Sequence, residues 1–158
     1  MSDLLLVLIV VATALNGIAA GASLDQSIKQ LPARHRIGAV AYSTYSQAGD
    51  LGNGLFWYAG LGMCAVLVSL AATIVAVVQR TSPQHALPIF LVSALWALHM
   101  LITLTLAAPT LRSQRRAEAN EATLAAVFNR FERIQTLRVL LDVLIFGITL
   151  WALLGYLC

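Results

Sequence analysis

The sequence predicts an all-α fold: a four-helix transmembrane bundle with additional helical segments in two long cytoplasmic loops. Hydrophobic residues make up 59% of the 158 residues and charged residues 11%, whereas soluble domains carry about 25% charged residues. The apolar residues also fall into four runs, each close to the ~20 residues that cross a bilayer as a helix. Helices are required because hydrocarbon offers the backbone no hydrogen-bond partners. We therefore expect residues 1–158 to form a single integral membrane domain.

The predicted spans cover about residues 4–22, 55–78, 87–108 and 139–157. The first run ends in small residues that resemble a signal-peptide cleavage site. However, only Asp3 precedes this run, and the basic segment that begins a signal peptide is missing. We therefore expect the run to be retained as a helix.

Three connections join the spans: two long ones and a short turn between them (residues 23–54, 109–138 and 79–86). Pro83 and Pro88 mark the short turn as a helix boundary, and Pro109 is expected to end the third helix. Residues 118–138 lack Gly and Pro and repeat apolar side chains at helical spacing, so they are expected to run into the fourth span as one helix. The first long connection is expected to hold a short helix or re-entrant piece between Pro32 and the glycines of residues 49–54.

Orientation follows from the basic residues. Nine of the ten Lys and Arg residues lie in or beside the two long connections, and only Arg80 lies on the other side. By the positive-inside rule, loops 23–54 and 109–138 face the cytoplasm and both termini face outward. The basic residues are expected to contact the headgroups of the lipid membrane, and no nucleic-acid partner is expected. Cys64 and Cys158 both fall in apolar segments and are expected to be buried, inert thiols.

Polar side chains within a span cost free energy unless they are paired, so each is a candidate for function. His99 lies in the middle of the third span, and Trp96 and Thr103 share its helical face. A histidine at this depth could accept a proton, ligate a haem or hydrogen-bond a substrate, or it could be a satisfied structural residue. His35 and His85 fall on opposite sides of the membrane, so we predict no metal site. No cofactor is expected, although a haem with one protein ligand, or a quinone, stays open.

Two further candidates lie in the other spans. Asp142 in the fourth span follows Arg138 by four residues, which predicts either a structural ion pair or a proton relay. Asn16 in the first span could hydrogen-bond another helix or a ligand. It adjoins Gly17 and Gly21, a pair at the spacing that favours close packing of helices and could support a homo-oligomer.

The end of the first long connection, just before the second span, is rich in polar and aromatic side chains. These residues could close the cytoplasmic mouth of the bundle and bind a substrate, or could form an interfacial aromatic belt. The candidates for substrate binding here are Tyr42, Tyr45, Asp50, Asn53 and Trp57.

Three stretches carry a resemblance that covers nearly the whole chain: LNGIAAGASLDQSIKQLPARHRIGAVAYSTYSQAGDLGNGLFWYAGLG, LHMLITLTLAAPTLR and FNRFERIQTLRVLLDVLIFGITLWAL. In span layout, in the polar first loop and in the lead into the last helix, the chain resembles the anthrone-oxygenase-like family of small four-span membrane proteins. The resemblance implies oxidation of an anthrone without an obvious metal or flavin, and a bacterial inner membrane. It carries over no individual catalytic residue.

Two functions follow from these observations. The first is a cofactor-poor oxygenase acting on a hydrophobic aromatic or quinone-like molecule in the cytoplasmic half of the bundle. Its catalytic residues would be His99, Asp142 and Arg138. The alternative is a non-catalytic accessory subunit, or a lipid-binding or pigment-binding component of a larger membrane complex. A transporter or channel is less favoured, because the sequence contains neither a pair of discontinuous helices nor a ring of charge.

Overall fold

A computed structural model, which describes residues 3–117 and 119–157, contains four long helices and no strand within those ranges. The helices are α1 (Asp3–Ile37), α2 (Ala39–Val78), α3 (Pro83–Arg116) and α4 (Glu121–Leu157). All four are long and apolar enough to cross a membrane. They run alternately up and down. Each packs mainly on two neighbours, so that α1 and α3 each contact α2 and α4. The predicted all-α class with four such helices is confirmed.

Helices of 34 to 40 residues are about 50–60 Å long at 1.5 Å per residue, which exceeds the ~30 Å of hydrocarbon. We call the part built from residues 4–22, 55–78, 87–102 and 139–157 the apolar half. The part built from residues 23–54 and 103–138 is the basic half. Residues 23–54 and 109–138 were predicted as two long loops with additional helical segments, of which residues 118–138 were expected to continue into the fourth span. Apart from the turns that join the helices, the described residues of both ranges belong to the four long helices. Glu118 lies outside the described residues, and α4 continues into the fourth span as predicted.

Short turns of special backbone conformation separate the helices. Gly38 alone joins α1 to α2, with φ of +85°, a conformation that glycine adopts without steric cost. Glu121 of α4 accepts hydrogen bonds from the backbone N–H groups of Ala39 (2.7 Å) and Val40 (3.2 Å), and so caps the start of α2. In the α3–α4 turn, Asn120 accepts a bond from the backbone N–H of Thr123 at 2.9 Å.

Three of the four helices contain a π-helical segment near the junction of the two halves. These are Gln26–Gln30 in α1, Gly49–Asn53 in α2 and Thr103–Ala107 in α3. Within α1, the flanking α-helical segments are Asp3–Asp25 and Leu31–Ile37. Within α2 they are Ala39–Ala48 and Gly54–Val78. Within α3 they are Pro83–Ile102 and Ala108–Ser113, followed by the 3₁₀ turn Gln114–Arg116.

The π segments explain why two prolines do not break their helices. Pro109 was expected to end the third helix, and Pro32 to limit a short helix, yet α3 and α1 continue past them. Each proline instead lies in the first turn of the α-helical segment that follows a π segment. The missing proline N–H costs least there, and the wider π turn relieves the clash of the ring with the preceding carbonyl groups.

The two halves have different cores. The basic half buries three large aromatic rings among aliphatic side chains, namely Leu31, Ala39, Tyr42, Ala107, Ala117, Leu124, Phe128 and Phe131. The apolar half has two clusters rich in small and aliphatic residues, namely Leu5, Ile9, Ala72, Ala76, Ile89 and Ala152, and Ala65, Val92, Trp96 and Ile145.

Two smaller expectations in the apolar half have different outcomes. Cys64 is exposed on the surface, so the prediction of a buried thiol there is wrong, and Cys158 lies outside the described residues. Gly17 packs inside the chain, because a Cβ there would approach the Phe146 ring at 3.1 Å, whereas nothing lies within 4 Å of a Cβ at Gly21. Gly17 therefore packs against another helix of the same chain, and Gly21 does not.

Candidate functional site: a cavity at the junction of the two halves

All four helices contribute to one cavity of about 350 Å³ at the junction of the two halves. It is partly open, and apolar side chains form most of its wall. The residues that line it include Ser23, Gln26, Asp50, Leu55, Tyr58, Trp96, His99, Met100, Thr103, Leu104, Arg112, Phe131, Arg138 and Asp142.

The cavity lies between two sets of polar contacts that join α2 to α3. On the apolar side, the Ser93 hydroxyl donates to the Ser69 carbonyl at 3.2 Å and lies 2.7 Å from the Thr73 hydroxyl. On the basic side, the Ser43 hydroxyl donates to Gln114 at 3.1 Å, and Gln114 donates to Ser46 at 3.3 Å. The lining residues of α2 and α3 all fall between these contacts.

The π segments form part of the cavity wall. Gln26 lines it from α1, Asp50 from α2, and Thr103 from α3. In α2, Gly52 leaves helical geometry (φ −98°, ψ −118°). A Cβ at Gly54 would lie 2.6 Å from the Gly49 carbonyl oxygen, so a larger residue there would have to move the backbone. Because π-bulges cluster at functional sites, three in one wall favour a binding site here.

His99 and Asp142 meet at the inner end of the cavity. The Nε2 atom of His99 lies 3.2 Å from Oδ1 of Asp142, and both side chains are almost fully buried. The contact is close, but it is not an aligned hydrogen bond, because neither atom has a hydrogen-bond partner. Nδ1 of His99 has no partner either. The Trp96 ring packs edge-on against the imidazole, with centroids 5.1 Å apart.

The second carboxylate oxygen of Asp142 accepts a hydrogen bond from α1. The Ser23 hydroxyl donates to Oδ2 at 2.5 Å. The predicted Arg138–Asp142 ion pair is wrong, since the described residues contain no such contact within 4.0 Å. Arg138 instead donates to Gln135 at 2.7 Å, one turn back on its own helix. Each member of the predicted i,i+4 pair therefore has another partner: Ser23 of α1 for Asp142, and Gln135 of the same helix for Arg138.

Asn16 forms a structural junction beside the cavity. Its amide donates to the Thr149 hydroxyl of α4 at 2.9 Å, and its carbonyl accepts the Trp96 indole N–H of α3 at 3.2 Å. The side chain is 1% exposed. Asn16 therefore fixes the ring that packs on His99 and has no free group facing the cavity.

Asp50 lies at the basic end of the cavity in a chain of polar side chains that is partly buried. It accepts the Ser46 hydroxyl at 2.7 Å and the Gln26 amide at 3.4 Å. Burial raises the pKa of Asp50, and these two hydrogen bonds oppose that effect. The chain continues through Ser46 to Gln114 of α3, so hydrogen bonds link Asp50 to the contact that joins α2 and α3.

The structure distributes the predicted site residues unevenly. His99, Asp142, Arg138, Asp50, Trp96 and Thr103 all line the cavity. Tyr42 lies in the core of the basic half, edge-on to Phe128 at 4.9 Å, and its hydroxyl has no partner. Tyr45, Asn53 and Trp57 are exposed outside the cavity. The roles assigned to all of these residues stay predictions.

Sequence reasoning missed several lining residues. Ser23 and Gln26 were treated as loop, and Met100 as an ordinary span residue. Phe131 shares a helical face with Arg138 and Asp142, and Tyr58 belongs to the aromatic stretch at the start of the second span, but neither was named as a site residue. Helical spacing could have indicated two of them. Met100 precedes Thr103 by three residues and Ser23 follows Asn16 by seven, so each lies on the same helical face as a residue that was singled out. The separation of α2 from α3 has no comparable sequence signal.

Chemically, the cavity offers an acid–base pair in an apolar enclosure. A carboxylate beside an imidazole stabilises the charge that the ring gains when it accepts a proton. Among residues 3–117 and 119–157 there is no group of three His, Cys, Asp or Glu side chains that could hold a metal. No protein-family model matches the chain, and searches of curated proteins and of solved structures find no match either.

Proposed function

We propose that this integral membrane protein binds a hydrophobic aromatic or quinone-like molecule in the cavity, and that His99 accepts a proton from it. One observation carries the proposal: an almost fully buried His–Asp pair with unsatisfied polar atoms faces a mainly apolar cavity. Buried polar groups in proteins are nearly always paired, and an unsatisfied one costs about 1–3 kcal/mol. A ligand that supplies hydrogen-bond partners recovers that free energy.

The walls support an aromatic ligand. Leu55, Tyr58, Met100, Leu104 and Phe131 offer apolar and aromatic contacts. A volume of about 350 Å³ falls at the lower end of small-molecule sites, which fits a compact ring system. The hydroxyl oxygen of a phenol or enol, or the carbonyl oxygen of a quinone, would face His99 and Asp142.

The reaction that would use this site is oxidation of an anthrone-type methylene group by dioxygen. The CH₂ group and O₂ become C=O and water: two C–H bonds break, one oxygen atom enters the carbonyl and the other leaves in water. His99 would take the proton of the enol, and Asp142 would stabilise the imidazolium. The enolate would then transfer electrons to O₂ in a cavity whose walls are mainly apolar. A non-catalytic accessory protein would bind the aromatic molecule without oxidising it.

The orientation belongs to the same proposal. The basic half would face the cytoplasm and both termini would face outward, in a bacterial inner membrane. Exposed Phe56 and Trp57 (77% and 72%) lie near the junction of the halves, where aromatic side chains anchor a helix at the membrane interface.

The test is binding of 2-hydroxyanthraquinone, whose phenolate absorbs at longer wavelength than its phenol. We expect the purified protein in neutral detergent to bind the dye and to stabilise its phenolate at a pH where the free dye is protonated. His99→Ala should weaken binding by about tenfold, the effect of one lost hydrogen bond to a charged group, and should abolish the phenolate shift.

His85→Ala is the matched control, since His85 lies at the other end of α3 and outside the cavity. Equal binding by His99→Ala and the intact protein would refute the proposed site. Oxygen uptake with anthrone, one O₂ per anthraquinone formed, would support the enzyme. Binding without turnover, together with larger subunits that co-purify, would favour the accessory role.

A further inference from the structure

We propose that the ligand carries an acidic group and that Arg138 and Thr103 bind it, in a layer next to the His99–Asp142 pair. This inference rests on the proposed function and names the class of ligand: a hydrophobic aromatic acid, present as its carboxylate.

The geometry begins with two antiparallel helices. His99 of α3 and Asp142 of α4 are in contact. Thr103 follows His99 by four residues, and Arg138 precedes Asp142 by four. Since α3 and α4 run in opposite directions, these two steps lead the same way, towards the basic half. Thr103 and Arg138 therefore form a second layer about 6 Å along the bundle from the first.

Both side chains of this layer line the cavity and have spare hydrogen-bond donors. The Thr103 hydroxyl and the Arg138 Nε atom are buried and have no partner. Arg138 uses another guanidinium nitrogen for its bond to Gln135. An anion placed between them would accept an N–H and an O–H bond at once, and bonds between ionised groups are the stronger kind.

Among the described residues, neither arginine that lines the cavity has a carboxylate as a direct partner. No carboxylate lies within 4.0 Å of Arg138 or of Arg112. The two carboxylates that line the cavity already have donors: Asp142 from Ser23, and Asp50 from Ser46 and Gln26. Asp142 therefore acts on Arg138 only through Coulomb attraction at longer range, and the Nε–H group of Arg138 stays free to donate to an anion.

The two layers together set the shape of the ligand. Its ring oxygen faces His99 and Asp142, and its carboxylate lies about one helical turn away, at Arg138 and Thr103. The rest of the ring system lies against the α2 wall, where Leu55 and Tyr58 line the partly open cavity.

The test compares anthraquinone-2-carboxylate with its methyl ester, by equilibrium dialysis against the intact protein in dodecyl maltoside. The pair differ in charge and share the ring system. We expect the carboxylate to bind at least tenfold more tightly. Arg138→Gln should lower the affinity for the carboxylate to that for the ester, Arg138→Lys should restore part of the preference, and Thr103→Val should reduce it about threefold.

Arg133→Gln is the matched control, because Arg133 is an exposed arginine of the same helix outside the cavity. An equal loss in Arg133→Gln would show attraction to the surface and would overturn the assignment, as would equal binding of the two probes. Displacement of the carboxylate by phosphatidylglycerol but not by phosphatidylcholine would overturn it in favour of a lipid phosphate. Failure of both probes to bind would instead refute the proposed function. The melting temperature of each variant confirms that it is folded.

Discussion

The apolar half and the basic half of this bundle use the same four helices but are held together by different interactions. The apolar half packs small and aliphatic residues closely, with Ala72 and Ala76 against Leu5 and Ile9. The basic half buries three aromatic rings and a charged side chain, Arg34, which is 5% exposed. We propose that the difference follows the solvent that each half would displace, which is hydrocarbon for the apolar half and water for the basic half.

In hydrocarbon, burying a leucine gains nothing by transfer, because lipid tails are as apolar as the side chain. Close packing and hydrogen bonds between helices remain as driving forces. Outside the hydrocarbon, the hydrophobic effect returns at roughly 25 cal/mol per Å² of apolar surface buried. Large rings such as Tyr42 and Phe128 are then the effective core residues. The cavity lies at the junction, where one packing rule gives way to the other.

The sharpest test of this comparison is the same substitution in each core. Leu31 in the basic half and Leu5 in the apolar half are both 0% exposed. Leu31→Ala should lower the free energy of unfolding by about 3 kcal/mol, the usual sum of a transfer term and a cavity term. Leu5→Ala should cost roughly half of that, since the transfer term is missing in lipid. Unfolding in lipid bicelles would measure both, and equal losses would contradict the division into halves.

Sequence reasoning predicted the four helices well because long apolar runs have few alternatives in a membrane. It ended each predicted span where the charges begin, and so treated residues 23–54 and 109–117 as loop outside the long helices, whereas it did expect residues 118–138 to run into the fourth span as one helix. Charge marks the end of hydrocarbon contact, whereas a helix ends where its backbone geometry changes. Gly38, the residue that ends α1, was not singled out, while Pro32 and Pro109 were taken as breaks.

The site was predictable in part, for a related reason. His99, Asp142 and Thr103 were found because polar side chains are rare in spans. Their partners were missed because helical spacing fixes neighbours along one helix and leaves the rotation of the next helix undetermined. For this reason the hydrogen bond from Ser23 to Asp142 was not predicted, and Arg138 was expected as the partner instead. The roles of these residues await the binding experiments.

Charge pairs give the second test of the comparison. Arg34 donates to Glu132 and to Asn129 (3.0 Å), tying α1 to α4. Glu132→Gln leaves the buried guanidinium without its anion and should cost about 2 kcal/mol, below the value for fully buried pairs because Glu132 is 38% exposed. The exposed Lys29–Asp25 pair is the control, and Lys29→Gln should leave the melting temperature unchanged.

The same pair predicts a pH dependence. The hydrogen bond from Arg34 lowers the pKa of Glu132 below its ordinary value of 4.5. A carboxyl whose pKa is lower in the folded state contributes its full stabilisation above about pH 4.5 and loses it as the pH falls through the folded value. Melting curves should therefore show an acid-dependent loss in the intact protein that Glu132→Gln lacks. A parallel loss in both would place the effect elsewhere.

Single hydroxyl groups give the third and smallest test, at the two contacts that bound the cavity. Ser93→Ala removes the contact with Thr73 and the bond to the Ser69 carbonyl in the apolar half, and should cost only about 0.6 kcal/mol. Ser46→Ala, in the basic half, strips Asp50 of a donor and Gln114 of an acceptor. It should cost about 1–2 kcal/mol, because those buried groups are left unsatisfied.

Ser113→Ala serves as the control for this pair, since that hydroxyl bonds only a carbonyl of its own helix, at Thr110 (2.6 Å). Equilibrium unfolding in bicelles would rank the three variants. A cost for Ser93→Ala that matches or exceeds that of Ser46→Ala would mean that the polar contact in the lipid carries as much stability as the buried network outside it. Polar contacts would then contribute equally to stability in the two halves, and the position of the cavity would need another explanation. The expected order, Ser46 above Ser93 above Ser113, would instead show that α2 and α3 are joined more firmly on the basic side of the cavity.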